Sequence, residues 1–201
     1  MRERPILFNI EMVKAILDGR KTCTRRAIKF PNGMTGRPIG KAGDNSNPLG
    51  VMYIGGIKRP PCQLGDILYV RETWCSAYDG EKYFYLADKL TNREERLLLN
   101  YDDVKWHPSI HMPKGAARIW LKVIDVRIER LQDITETQAQ AEGCTSGLLT
   151  GPCTARGQFE NLWNSTIKKP DADKYGWSAN PWVWAIEFER CEKPRKENIN
   201  D

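Results

Sequence analysis

The chain has 201 residues, of which 40% are hydrophobic and 28% charged, and its formal net charge is +5. That balance fits one soluble domain with appendages, or two small ones, and excludes wholesale disorder. No run of about 18 apolar residues occurs, which excludes a membrane-spanning helix, and Ile6-Leu7-Phe8 near the start is too short for a secretory signal, so a cytoplasmic protein is expected.

Pro5 to Asn9 reads as a short first strand. Glu11 to Asp18 follows as a helix, with Met12, Val13, Ala15, Ile16 and Leu17 at helical spacing, Asn9 as its cap and Gly19 as its stop. Thr22 to Phe30 leans towards strand. The stretch from Phe30 to Gly65 breaks the pattern: it holds eight of the sixteen glycines and five of the twelve prolines. Such density predicts a long ordered loop or a flexible insert, with a weak strand at Val51 to Ile54. Asp66 to Glu72 is a clear strand, and Tyr83 to Ala87 another, announced by the turn pair Asp79-Gly80. Thr91 to Lys105 is charged and reads as a short helix followed by an exposed loop.

Arg118 to Leu131 is the strongest strand, and both of its alternating sets mix apolar with polar residues, so a change of buried face at a bulge is expected. Thr135 and Gln138 form a capping box for a helix that Gly143 ends. Gly147 to Gly157 reads as a loop, Gln158 to Ile167 as a helix and Trp182 to Phe188 as the last strand. Trp182 and Trp184 share a face of that strand, and Trp163 and Trp177 are expected to cover one end of the fold. The polar tail from Glu192 to Asp201 is expected to be disordered. Short strands without a recurring βα unit predict an α+β fold: a small, mixed, partly open β-barrel with helices packed at its ends.

The charge is uneven. Between Gly19 and Cys62 stand nine basic residues and one acid, Asp44, so this segment carries +8 and the remainder −3. A local excess of this kind either attracts phosphate backbones or is a solvated surface without a partner. The six cysteines include no C-x-x-C pair, and Cys144 and Cys153 are a poor match to zinc-ligand spacing. Reduced, inert thiols are expected, and no metal or cofactor.

Four landmarks resemble the ASCH family of PUA-like β-barrels. They are Ile16-Leu17-Asp18-Gly19-Arg20-Lys21-Thr22-Cys23-Thr24-Arg25-Arg26; Gly65-Asp66-Ile67-Leu68-Tyr69-Val70-Arg71-Glu72-Thr73-Trp74; Ile134-Thr135-Glu136 with Ala139 and Glu142-Gly143; and Trp184-Ala185-Ile186-Glu187-Phe188. With Pro108 to Pro113 and Tyr175-Gly176-Trp177, the longer form looks like the ASCH proteins carried by bacteriophages and prophages. The resemblance runs from about Pro5 to Arg190. It implies a single domain over residues 1–191, with residues 30–65 as a basic insert and 192–201 as the tail. It also implies a cleft for RNA, DNA or a modified nucleoside. Some small family members are similar to amidohydrolases that deacylate N4-acetylcytidine, others are ribonucleases, and the fold decides neither.

In the amidohydrolase-like members a lysine, a threonine three later and a glutamate in a later helix form the catalytic trio. The matching residues here are Lys21, Thr24 and Glu142. A threonine hydroxyl is a weak nucleophile until a base takes its proton, and a lysine can do so only when neutral. Glu142 would orient the lysine or pass the proton to the leaving amine, while Arg20, Arg25 and Arg26 supply positive charge. The bland alternative makes Lys21 a phosphate contact, Thr24 a strand residue and Glu142 a helix-end acid. Arg71 and Glu72 either bind a ligand or pair with each other, and Trp74 either stacks a base or joins the core. His107 and His111 are the only histidines, with Pro108 and Pro113 opposing a metal-binding helix between them. His111 is placed at the cleft as a candidate contact. Arg37, Lys41, Lys58 and Arg59 of the insert are expected to meet phosphates.

Overall fold

The computed structural model describes residues 1–31, 34–44, 46, 48–77, 82–88, 105–146 and 154–194. The expected turn at Asp79-Gly80, the charged stretch 91–104, the loop residues 147–153 and the tail 195–201 lie outside the described residues. The chain is mixed α+β and dominated by sheets, and no sheet closes into a barrel among the described residues. No helix among them is long and apolar enough to cross a membrane. Contacts divide the chain into two compact units: Met1–Lys14, Ile67–Lys122 and Glu189–Asp201 form one, and Ala15–Asp66 with Val123–Phe188 form the other.

In the first unit β1 (Glu3–Leu7) runs parallel to β6 (Ile67–Arg71), in register from Glu3 opposite Ile67 to Leu7 opposite Arg71. The start of β9 (Trp120–Arg130) pairs antiparallel on the other side of β6. A two-stranded sheet joins β7 (Trp74–Ala77) to β8 (Lys82–Tyr85). The core of this unit gathers Ile67, Tyr69, Met112, Ala116, Ala117 and Trp120, with Trp74, Tyr83 and Tyr85 at its edge.

In the second unit the part of β10 (Trp182–Cys191) up to Phe188 lies between β9 and β2 (Cys23–Ala27), antiparallel to β2 with Thr24 opposite Ile186. Three helices accompany this sheet: α2 (Glu136–Ala141), α3 (Ala155–Thr166) and α4 (Ala172–Tyr175). The capping box forms as expected, the Gln138 N–H donating to Thr135 Oγ1 at 3.2 Å and the Thr135 N–H to Gln138 Oε1 at 3.0 Å. Helix α3 starts three residues before the expected Gln158, because Thr154 caps it and Glu136 accepts the backbone N–H groups of Ala155 and Arg156 at 2.6 and 3.1 Å. Trp163 and Trp177 share one buried cluster with Phe159, Leu131, Ile134 and Val183.

Helix α1 (Ile10–Leu17) contributes residues to both units. Asn9 Oδ1 accepts the Met12 N–H at 2.9 Å, and Gly19 ends the helix at φ +74. Along β9 Trp120, Leu121, Val123 and Val126 are buried, so both of its alternating sets supply buried residues.

The stretch expected as a loop or insert holds the weak strand expected at Val51 to Ile54 as β4 (Gly50–Tyr53), and β4 stands in a three-stranded antiparallel sheet with β3 (Gly36–Ile39) and β5 (Gly56–Lys58), which were not expected. Its glycines are there for packing as well as turning. A Cβ on Gly36 would stand 2.5 Å from Val51 Cγ1, and one on Gly50 2.8 Å from Ile57 Cγ2.

Candidate functional site

Lys21 and Glu142 are separated by most of the second unit's sequence, and the backbone brings them together. The last turn of α2 docks on the segment after α1: the Thr22 N–H donates to the Ala141 carbonyl at 2.8 Å, and Lys21 forms an isolated antiparallel bridge with Glu142. Gly143 makes this approach possible. It takes φ +92, and a Cβ there would lie 2.8 Å from the Ala15 Cβ and 3.3 Å from the Lys21 Cβ.

The Lys21 ammonium then sits with its side chain 0% exposed and donates to Glu142 Oε2 at 2.6 Å, to the Glu142 carbonyl at 2.9 Å and to the Cys23 carbonyl at 2.7 Å. Three acceptors match the three protons of an ammonium group. The other carboxylate oxygen of Glu142 accepts Arg25 Nη1 at 3.2 Å, and Arg25 Nη2 reaches Glu129 Oε2 at 2.8 Å. Glu129 is held in turn by Arg127 Nε at 2.9 Å, and Arg127 also grips Glu187 at 2.6 Å as well as Asp125. Buried charges survive only when paired in this way. One buried atom of the group is left without a hydrogen bond, Arg25 Nε.

Thr24 is buried on β2 between Cys23 and Arg25. Alternation along a strand sends its side chain to the face opposite theirs. The hydrogen bonds described above tie Lys21 to Cys23 and Glu142, and Glu142 to Arg25. Arg26 shares the Thr24 parity and pairs across the sheet with Trp184. Burial lowers the Arg26 guanidinium from its ordinary value, with Glu142 pulling the other way. Cys23 is no rival nucleophile: burial, reinforced by Glu142, pushes its thiol up to about 12. Arg20 stays at the surface, bound to the Gly143 carbonyl at 3.0 Å and to Asp18 at 2.9 Å, where it closes the same turn.

The remaining expected residues belong to the first unit. Glu72 is 1% exposed and is held not by Arg71 but by Arg118, through Nε at 2.9 Å and Nη2 at 3.0 Å. Arg118 Nη1 holds both oxygens of Asp88 at 2.8 Å, and its guanidinium carbon lies 4.0 Å from the Tyr85 ring centroid. Arg71 donates to the Ile110 carbonyl at 3.2 Å. Trp74 joins the edge of the core, stacked on His107 with ring centroids 5.0 Å apart and edge-on to Tyr83 at 5.7 Å. Its indole N–H is buried without an acceptor. His111 is exposed in a short helical turn, Ser109–His111. The histidine that meets an aromatic partner is therefore His107, a contact that sequence spacing did not single out.

Sequence reasoning missed Arg118, Arg127 and Glu129, since their partners come from distant strands. Of the insert's cations, Arg59 is committed to the carbonyls of Pro48 and Leu49, the latter at 3.2 Å, and Arg37 leans on the Met52 sulfur at 3.9 Å. Among the described residues no group of three or more His, Cys, Asp or Glu side chains is placed to hold a metal ion. The sequence matches no protein-family model, and no curated protein or solved structure matches it.

Proposed function

We propose that the chain is an ASCH-type, nucleic-acid-linked protein of PUA-like fold whose Lys21–Glu142 pair, with Thr24, hydrolyses the amide of an N4-acylated cytosine nucleoside or a similar modified base. The observation that carries the reading is the 2.6 Å contact of Lys21 Nζ with Glu142 Oε2, fully buried and supported by a second cation, Arg25. A contact of that length is a path for a proton. Passing one from Nζ to Oε2 leaves a neutral amine able to take the Thr24 hydroxyl proton. The Thr24 oxygen then bonds to the acyl carbon, the bond from that carbon to N4 breaks, and the lysine returns its proton to the departing amine. Water hydrolyses the threonyl ester, releasing the carboxylic acid and restoring the hydroxyl. This sequence requires the buried group to open to substrate and Thr24 to turn towards Lys21.

Incubation with N4-acetylcytidine, followed by absorbance, tests the reading. Release of cytidine and acetate is expected, and no release over a wide range of enzyme concentration would contradict it.

A second reading, a non-catalytic RNA- or DNA-binding module, draws on the alternation that sends Thr24 away from Arg25 and on the full set of acceptors around Lys21. Under that reading the charge network is a structural clamp. RNA would bind with an affinity that falls steeply with salt, and acetylcytidine would not turn over.

A further inference from the structure

A cavity of about 420 Å³ opens on the second unit, away from any residue of the Lys21 group in its lining. Its size lies in the ordinary range of small-ligand sites, roughly 300–1,000 Å³. Three aromatic side chains line it, Phe30, Tyr175 and Trp182, together with two cations, Arg130 and Lys174, and one acid, Asp173. The aromatic faces already attract positive charge: the Arg130 guanidinium carbon lies 4.1 Å from the Trp182 ring centroid, and Lys29 Nζ lies 5.3 Å from that of Tyr175.

The wall that carries Trp182 is held in place by a left-handed residue. Asn180 has φ 45 and ψ 56, the one non-glycine residue with positive φ among those described. Asparagine tolerates that conformation better than most residues, yet it persists only where its surroundings fix it. Here the Asn180 carbonyl accepts Arg130 Nη1 at 3.1 Å, and its Oδ1 accepts the Gln132 N–H at 2.9 Å. The Leu131 N–H donates to the Pro181 carbonyl at 3.0 Å. The same turn thus aims Trp182 and ties down Arg130, so both arrive at the cavity with little freedom left to lose on binding.

We infer that this cavity is a binding site for a nucleoside phosphate, either free or as one unit of a single strand. A planar base meets three aromatic side chains, and a phosphate meets Arg130 and Lys174. The lone carboxylate, Asp173, offers an acceptor to an exocyclic amine. A purely apolar ligand would leave the Lys174 charge unanswered, and a simple polyanion would leave the aromatic wall without use.

The test measures binding of two probes to the full chain by calorimetry: cytidine 5′-monophosphate, and a short single-stranded oligocytidylate RNA. Neither carries an acyl group, so binding is read whether or not the chain hydrolyses an amide. Trp182→Ala, Tyr175→Leu and Arg130→Gln are compared with the unaltered chain, with thermal melting as the check on folding. Tyr175 and Arg130 lie outside the buried clusters, so those two variants keep the test decisive if Trp182→Ala melts early. Binding of both probes, weakened about tenfold or more by each variant, is expected if a free nucleotide suffices. Binding of the oligonucleotide alone, with the same losses, would identify the single strand as the source. Failure of both probes to bind, or binding that folded variants retain in full, would overturn the inference.

Discussion

Each unit buries a glutamate against an arginine, and the two arrangements differ in what else they contain. In the first unit Glu72 lies in the two-pronged grip of Arg118, whose remaining nitrogen holds Asp88 and whose plane covers Tyr85. An arginine so placed cannot give up its proton at any ordinary pH, so this pair positions and rigidifies but has no proton to trade. In the second unit Glu142 is shared between Arg25 and Lys21. A lysine can lose its proton, and here it faces a carboxylate at hydrogen-bond distance. Under the proposed function, the lysine added beside the arginine is what separates a group that moves a proton from a clamp, and each difference between them can be measured.

The largest expected effect is on stability. Glu142→Ala leaves Lys21, with 0% side-chain exposure, without its carboxylate and leaves the equally buried Arg25 with Glu129 alone, and should cost about 3–5 kcal/mol in chemical denaturation. Glu72→Ala strands one cation, Arg118, that retains 26% exposure and a second partner in Asp88, so about 1–3 kcal/mol is expected. Equal costs would erase the distinction between the two groups. Exchange of the cation is the next test. Arg118→Lys loses the two-pronged geometry and should cost about 1–2 kcal/mol.

On activity, Thr24→Ala should abolish acetylcytidine hydrolysis while leaving the fold intact, and Thr24→Ser should retain part of it because the hydroxyl remains. The Lys21→Ala, Thr24→Ala double variant should be no slower than either single one, as for residues acting as a unit. Multiplicative losses would show the two acting independently.

Much of the framework behind this comparison was legible in the sequence. The Asn9 and Thr135 caps, the Gly19 and Gly143 stops and strands β6, β9 and β10 follow from side-chain periodicity and local backbone chemistry, which act over a few residues. Of the sheet at residues 36–58 only the central strand was, because the sheet's glycines look like loop residues. Gly36 and Gly50 are small to let Val51 and Ile57 pack against them, and nothing local records that demand. The Lys21–Glu142 pair was anticipated only through family resemblance, with no local spacing to announce it. Glu72 with Arg118 and Arg25 with Glu129 had no such guide. Their partners lie 46 and 104 residues apart, and strand register rather than spacing joins them.

The smallest effect concerns the thiols beside Glu142. Burial, with Glu142 second, pushes Cys23 up to about 12 and Cys144 up to about 11 from an ordinary 9.0. A raised folded-state value means that the stability contributed is complete below about pH 9 and is lost as pH rises through 11 to 12. Replacing both with alanine should therefore flatten the alkaline limb of the stability curve relative to the unaltered chain. An unchanged limb would remove the thiols from the account.

The central claim is that Lys21 moves a proton rather than merely holding a charge. Lys21→Arg keeps the positive charge and removes the ability to accept a proton. Turnover of N4-acetylcytidine by the unaltered chain and by Lys21→Arg, with melting curves to show both folded, puts that claim to the test. The account predicts release of cytidine by the first and none by the second. Normal turnover by Lys21→Arg would contradict it and make Lys21 a fixed charge, as Arg118 is beside Glu72.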